Sequence, residues 1–573
     1  MKALPPPQFS LAVPEPNPEE VFNLDFQEKC AEQLVYNLTR EGHAANMLRA
    51  RVGLGKTYIL CKAIRDLLAQ GWFNDKPSPY PVIWLTAATV VEQTQRVLDS
   101  YGLGKKVFVT NYDQLRSEFG EIWLKTYSEH ERGELVIKYA WTDPLVSKLV
   151  IFDECQKLKN TDSQQSRICL ALTKVPGTRF IFSSASPFTR VCEAKNFAVS
   201  TRHRYKFGWS MIDLDERHWP DFAQWIAGNT DPAEHSPTAC KRLREELNKY
   251  FVEPKGVQSK YHSRNGCCLI NFQSPTEAEF YNAAYARYIE ELAKIDRDAP
   301  GGIAAIWVAI LKFRQAAELI KAPHLALAAW ESVKAGKAAV VVCNFRATLA
   351  KVCETLHKSF KVSRDEISMV WGGLGKAKPD ASSPYYVDES LDLDLGPQSR
   401  KARQKEIDRF QSGKSLYCLF TFKSGGVGLS LHHAKAGLRP RETFVSTTYS
   451  AIELVQSFGR SHRITSLSDT VQTVLFYRGT IEEQVADKVA IKLKCLDQIV
   501  ASRESWADIL VSQDAKLAQV RADLVQDIRQ RERQAEVIEA DDESLEGIYI
   551  EEAEDSLQNE TVETTKPIYD INS

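Results

Sequence analysis

Two sets of short, apolar, β-rich runs alternate with longer polar or amphipathic stretches along this chain, and that alternation leaves little choice of architecture. The first set is Val82–Leu85, Val107–Thr110, Leu149–Phe152 and Arg179–Phe182; the second is Ala339–Cys343, Tyr417–Thr421, Thr443–Val445 and Val471–Phe476. Runs this apolar are covered on both faces, which calls for a parallel sheet flanked by crossover helices. Two α/β units are therefore expected. Between them, residues 190–320 are rich in helix formers, as in Glu277–Ile295 and Ile306–Leu319, and read as helical additions to the first unit.

The ends have a different composition. Residues 1–20 contain six prolines and read as an extended leader, so the first unit is expected over 21–189 and the second over 321–500. A charged helical extension is expected over 501–535. Residues 536–573 carry 13 acidic side chains against one lysine, Lys566, and read as a disordered acidic tail, a candidate contact for a protein partner. Residues 1–535 hold 72 Lys+Arg against 62 Asp+Glu, and a basic body points to a polyanionic partner.

No apolar run approaches the roughly 20 residues of a membrane-spanning helix, and the opening M-K-A-L-P-P-P lacks the apolar region of a secretory signal. The expectation is a protein with no membrane contact, cytoplasmic or nucleoid-associated, nuclear if eukaryotic, and not secreted. The 12 cysteines never form C-x-x-C, which argues for reduced thiols over a zinc ribbon.

Positions 50–57 read A-R-V-G-L-G-K-T, between the apolar Met47–Leu48 and the helical pattern Tyr58–Leu68. In a strand, glycine loop and helix of this kind, Gly53 and Gly55 let backbone N–H groups approach phosphates and Lys56 reaches the β and γ phosphates. Thr57 supplies a hydroxyl to Mg²⁺. The strict pattern has glycine where this chain has Ala50, so a plain glycine turn before a helix is the alternative. A partner motif decides against it. Asp153-Glu154-Cys155-Gln156 follows the strand candidate Leu149–Phe152, placing two carboxylates where parallel sheets bind ligands: Asp153 for the Mg²⁺ shell, Glu154 to orient the attacking water.

With these motifs the chain resembles the superfamily 2 helicase-like ATPases, and within them the SWI/SNF-type double-stranded-DNA translocases. Gln27 sits where that family has an adenine-sensing glutamine. L-T-A-A-T at 85–89 and V-T-N-Y-D at 109–113 look like its next blocks, D-E-C-Q-K-L-K-N at 153–160 is similar to its extended D-E-A-H-R-x-K-N, and S-S-A-S-P at 183–187 stands in for motif III. In the second unit, V-V-C-N-F at 341–345, S-G-G-V-G-L-S-L at 424–431, Q-S-F-G-R-S-H-R-I at 456–464 and T-I-E-E at 480–483 follow in the family's order. The departures are Ala50 and Arg51 for an acidic pair, Gln156 for a histidine, and Tyr449-Ser450-Ala451 for W-N-P.

The resemblance implies an α/β fold of two RecA-like parallel-sheet lobes with helical additions to the first lobe. It makes Arg460 and Arg463 arginine fingers with Gln456 beside them, and Thr86, Thr89, Asn344 and Ser424 phosphate contacts on nucleic acid. The expected activity is an ATP- and Mg²⁺-dependent translocase on duplex or branched DNA. The alternatives are a true helicase on forked or branched DNA and, in another class, an ATP-gated recruitment protein.

Overall fold

In the computed structural model, residues 25–74, 80–88, 90–117, 124–131, 134–141, 148–161, 163–255, 257, 260–296, 299, 302–372, 398–425 and 430–500 are described. The first lobe contains β1 (Ala45–Arg49), β2 (Val82–Thr86), β3 (Val107–Asn111), β4 (Leu124–Glu131), β5 (Glu134–Trp141), β6 (Leu149–Asp153), β7 (Arg179–Ser184), β8 (Arg204–Phe207), β9 (Ser210–Asp213) and β10 (Phe251–Val252). Six of these form one parallel sheet in the order β10-β1-β7-β6-β2-β3, while β4–β5 and β8–β9 are antiparallel hairpins. The second lobe contains β11 (Ser263–Ile270), β12 (Ala338–Cys343), β13 (Ile367–Val370), β14 (Tyr417–Thr421), β15 (Arg441–Ser446) and β16 (Thr470–Tyr477), parallel in the order β11-β16-β15-β12-β14-β13. The two RecA-like lobes are thus present. Every residue of β1, β2, β6, β12 and β14 is buried, the signature of strands covered on both faces.

The segment 190–320 is divided between the lobes. Its helices Lys195–Thr201, Trp219–Ala227 and Pro237–Glu246 do add to the first lobe, placing Phe197, Phe222 and Leu243 in one core with Phe152 and Phe182. Its helices Pro275–Lys294 and Gly302–Lys334 belong to the second: Ala322, Leu325 and Ala329 pack on Val341 and Leu349, and Tyr281 and Phe313 pack on Tyr477. The same segment also supplies an edge strand to each sheet, β10 and β11, so the crossing between lobes falls between Val252 and Ser263. Helix-forming composition identifies a helix but carries no information about which sheet it covers. The expected leader over 1–20, the extension over 501–535 and the acidic tail over 536–573 lie outside the described residues.

The helix Ile481–Val500 joins the lobes again. Val485, Val489, Leu493 and Leu496 face the second-lobe core, while Cys495 and Ile499 enter the core of the first. Its start is pinned by a buried ion pair: Lys321 Nζ, wholly inaccessible, donates to Glu482 Oε1 at 2.6 Å and to Thr447 Oγ1 at 2.9 Å, and Glu482 Oε2 accepts the Tyr477 amide at 2.8 Å. The T-I-E-E block is therefore a structural clasp. Among the described residues no helix is long and apolar enough to cross a membrane.

Removing one partner of such a pair strands a buried charge. Lys321→Ala is expected to lower unfolding stability by about 3–5 kcal/mol, whereas the double change Lys321→Met, Glu482→Gln should lose clearly less. Denaturant titration followed by circular dichroism distinguishes the two; equal losses would mean that the charge is not what the site requires.

Candidate active site

The C-terminal ends of β1, β7 and β6 lie side by side, and each opens into a different part of one site. After β1 the chain turns through Gly53 (φ 85°) and Gly55 (φ 77°), left-handed conformations that glycine adopts without steric cost. Gly55 caps the helix Lys56–Ala69, so the first amides of that helix point back at the loop, the arrangement that binds phosphate. Lys56 Nζ folds over the loop to Ala50 O at 3.4 Å. Gln27, from the helix Asp25–Thr39, donates to Leu54 O at 3.1 Å, and its Nε2 lies 2.4 Å from where a Cβ on Gly55 would stand. Any side chain at position 55 would push Gln27 off the loop.

Asp153 ends β6 and is buried. It accepts the Thr86 hydroxyl at 3.1 Å, while the Tyr112 hydroxyl donates to its backbone carbonyl at 2.8 Å. Burial, reinforced by neighbouring Glu154, pushes the Asp153 carboxyl up to about 6, against the pull of Lys56 and of the nearby Ser183 and Thr86 hydroxyls. Glu154 takes φ 52°, a left-handed conformation that costs a non-glycine residue roughly 1–2 kcal/mol and is maintained only by its surroundings. Those surroundings are a relay. Gln156 Nε2 donates to Glu154 Oε2 at 2.8 Å, Ser184 Oγ donates to Gln156 Oε1 at 2.7 Å, and the Ser186 amide donates to Ser184 Oγ at 3.0 Å. The glutamine in the histidine position thus connects the acid pair to the S-S-A-S-P turn.

The second lobe contributes the helix Ala451–Ser461, which buries Gln456 and, one turn later, Arg460. Glu154 is close enough to Arg460 to favour its charged form, yet burial and nearby Arg463 bring the guanidinium down to about 10. Burial also lowers Arg463. Contact between the lobes is tight: a Cβ on Gly53 would stand 2.9 Å from Arg463 Cγ, and one on Gly459 would stand 2.2 Å from Val52 Cβ. Beside this seam a cavity of about 570 Å³ opens, lined by Arg51, Leu54, Lys255, Tyr261, His462 and Arg463 among others. Its basic walls suit a polyanion, although Lys56 and the acid pair are not among them.

The residues present fit a magnesium nucleotide. Among the described residues no group of three or more His, Cys, Asp or Glu could hold an ion alone. Thr57 and Asp153 would hold a Mg²⁺ together with the nucleotide phosphates, and the ion would supply positive charge beside them.

Three of the four side chains expected to contact nucleic-acid phosphates are engaged within the protein instead. Thr86 is wholly buried and its hydroxyl serves Asp153. Asn344 donates to Glu318 Oε1 at 2.7 Å and to Thr447 O at 2.9 Å, and Ser424 donates to Val370 O at 2.9 Å. Thr89 lies outside the described residues. A motif fixes a position at the end of a strand but not the direction of its side chain, and these three point inward. For the same reason the roles of Tyr112, Ser183 and Ser184 were missed: their motif blocks were visible, but the adjacency of β2, β6 and β7 was not.

No family model matches the chain. It is 21% identical over 476 residues to a putative ATP-dependent RNA helicase, L364, of Acanthamoeba polyphaga mimivirus, covering 76% of this chain and 77% of that protein. Among solved structures, the Sulfolobus solfataricus SWI2/SNF2 ATPase core in complex with dsDNA is 14% identical, with 87% and 97% of the two chains covered and a TM-score of 0.29. The S. cerevisiae Dbp5 L327V bound to RNA and ADP BeF3 is 12% identical, with 88% and 93% covered and a TM-score of 0.38. The motif blocks of the two parallel-sheet lobes meet on one cleft, and the similarity to the putative mimivirus helicase spans three quarters of both chains.

Proposed function

We propose that the chain is an ATP-driven translocase on double-stranded DNA of the SWI/SNF type. The observation that carries the ATPase cycle is that Arg463 lies against Gly53 across the seam between the lobes, with Arg460 near enough to Glu154 for their charges to interact. In this reading Lys56 and the amides around Gly53 and Gly55 hold the β and γ phosphates, and Gln27 senses adenine. Thr57 and Asp153 hold Mg²⁺, and Glu154 orients the attacking water. Arg460 and Arg463, with Gln456 beside them, stabilise the charge that develops in phosphoryl transfer. Because these groups come from opposite lobes, closing and opening the cleft through each cycle moves one lobe over the other, and a lobe pair gripping the same strand would step along it.

Duplex DNA as the track rests on the extended D-E-C-Q-K-L-K-N block at 153–160 and on the basic excess of residues 1–535. RNA is the second reading, favoured by the activity in the name of the mimivirus relative. The deciding experiment measures ATP turnover with duplex, single-stranded and forked DNA and with RNA over a salt series. Duplex DNA should stimulate most and lose affinity steeply as salt rises, as expected for phosphate contacts that release counterions. Stimulation by RNA alone, or affinity indifferent to salt, rejects the DNA translocase.

Two sets of variants test the site itself. Lys56→Ala and Glu154→Gln should each abolish turnover in a folded protein, because the first loses phosphate charge stabilisation and the second the positioned water. Arg460→Ala should lower kcat by on the order of 10³-fold with a much smaller rise in KM for ATP, since the finger acts on the transition state. A matching loss of nucleotide affinity would indicate a ground-state binding role.

A further inference from the structure

Outside the nucleotide cleft, the contact between the lobes has a chemical feature that the ATPase cycle does not use. Cys240, on the first-lobe helix Pro237–Glu246, and Cys495, on the helix Ile481–Val500, are both wholly buried, and each thiol lies close enough to act on the other. The two helices pack together, with Cys240, Leu243, Cys495 and Ile499 in one core. Cys240 Sγ also donates to Thr189 O at 3.4 Å, the carbonyl that His235 Nδ1 approaches at the same distance, so one peptide oxygen fixes both groups. His235 in turn lies close enough to Cys495 to act on its thiol. We propose that Cys240 and Cys495 form a reversible disulfide latch that ties the final helix of the second lobe covalently to the first lobe.

The two sulfurs are not equivalent. Neighbouring Cys240 and His235 bring the Cys495 thiol down to about 7, against burial, whereas Cys495 and burial drive Cys240 well above the ordinary range. Cys495 is thus the sulfur that reaches the thiolate form near neutrality, and the thiolate is the nucleophile. With a hydroperoxide such as hydrogen peroxide as oxidant, the Cys495 thiolate attacks one oxygen, the O–O bond breaks, and the departing hydroxide takes a proton to leave as water. Cys495 is left as a sulfenic acid. The Cys240 sulfur then attacks Cys495 sulfur, the S–S bond forms, the S–O bond breaks, and the oxygen leaves as a second water with the proton from Cys240. Two thiols together lose two electrons, and one peroxide gains them. Because neither sulfur is exposed, oxidation requires the last turns of the helix to lift from the first lobe, so the latch closes on molecules whose lobe contact is breathing. A dithiol reductant reverses it by exchange.

The test uses the full chain. After treatment with hydrogen peroxide, the protein is digested without reduction and searched by mass spectrometry for the peptide pair joined through Cys240 and Cys495. Basal and nucleic-acid-stimulated turnover are measured before oxidation, after it, and after dithiothreitol. The joined pair should appear, kcat should fall by about tenfold or more because lobe motion limits turnover, and dithiothreitol should restore it. Cys240→Ser and Cys495→Ser should each keep their rate in peroxide. Absence of the joined pair overturns the latch, as does a joined pair with unchanged kcat or a loss of rate that persists in both variants. The peptide readout needs neither activity nor a folded variant, so it stands whether or not DNA proves to be the track.

Discussion

The close approach of the second lobe to the phosphate loop, glycine against side chain in both directions, is the constraint on which the site depends. Gly459 leaves room for Val52, and Gly53 leaves room for the Arg463 backbone and Cγ. A β-carbon at either glycine would wedge the lobes apart and carry Arg460 away from Glu154. The glycines of the loop therefore serve two purposes. Gly53 adopts the left-handed turn that aims amides at phosphate, and it also provides the surface on which the other lobe lands.

The charged groups at that seam are buried, and their burial explains the electrostatics. An ionised carboxylate or guanidinium taken out of water is favoured only where opposite charge or hydrogen bonds replace the lost solvation. Asp153 is raised to about 6 by burial and by Glu154 even with Thr86 bonded to it, and Arg460 is lowered to about 10. A divalent cation beside Asp153 and a triphosphate beside Arg460 would supply the missing opposite charges.

Behind the seam, buried carboxylates organise the second lobe. Glu318 accepts the Asn344 amide at 2.7 Å, the Phe345 amide at 3.1 Å and the Thr348 hydroxyl at 2.9 Å, a side chain from one helix capping the start of the next, Arg346–Lys358. Glu482, held by Lys321, fixes the Tyr477 amide at the end of β16. These contacts tie the strands and helices of the second lobe together behind the helix that carries Arg460.

The sequence by itself determined the two sheets, the strand-loop-helix of the phosphate loop, the acid pair and the arginine helix, because each is encoded locally: eight apolar runs became strands, and glycine, lysine and threonine at fixed spacing fit one backbone geometry. Only the tertiary structure decided who touches whom. β11, read from S-R-N-G-C-C-L-I, has neither alternation nor a continuous apolar run, and it is a strand because all eight residues pair in register with Thr470–Tyr477. Thr86 serves Asp153 because β2 lies beside β6, and Gln156 reaches Ser184 because β6 lies beside β7. Strand order and side-chain direction are set by which buried faces fit together across the whole lobe, and a linear pattern of residues does not contain that information.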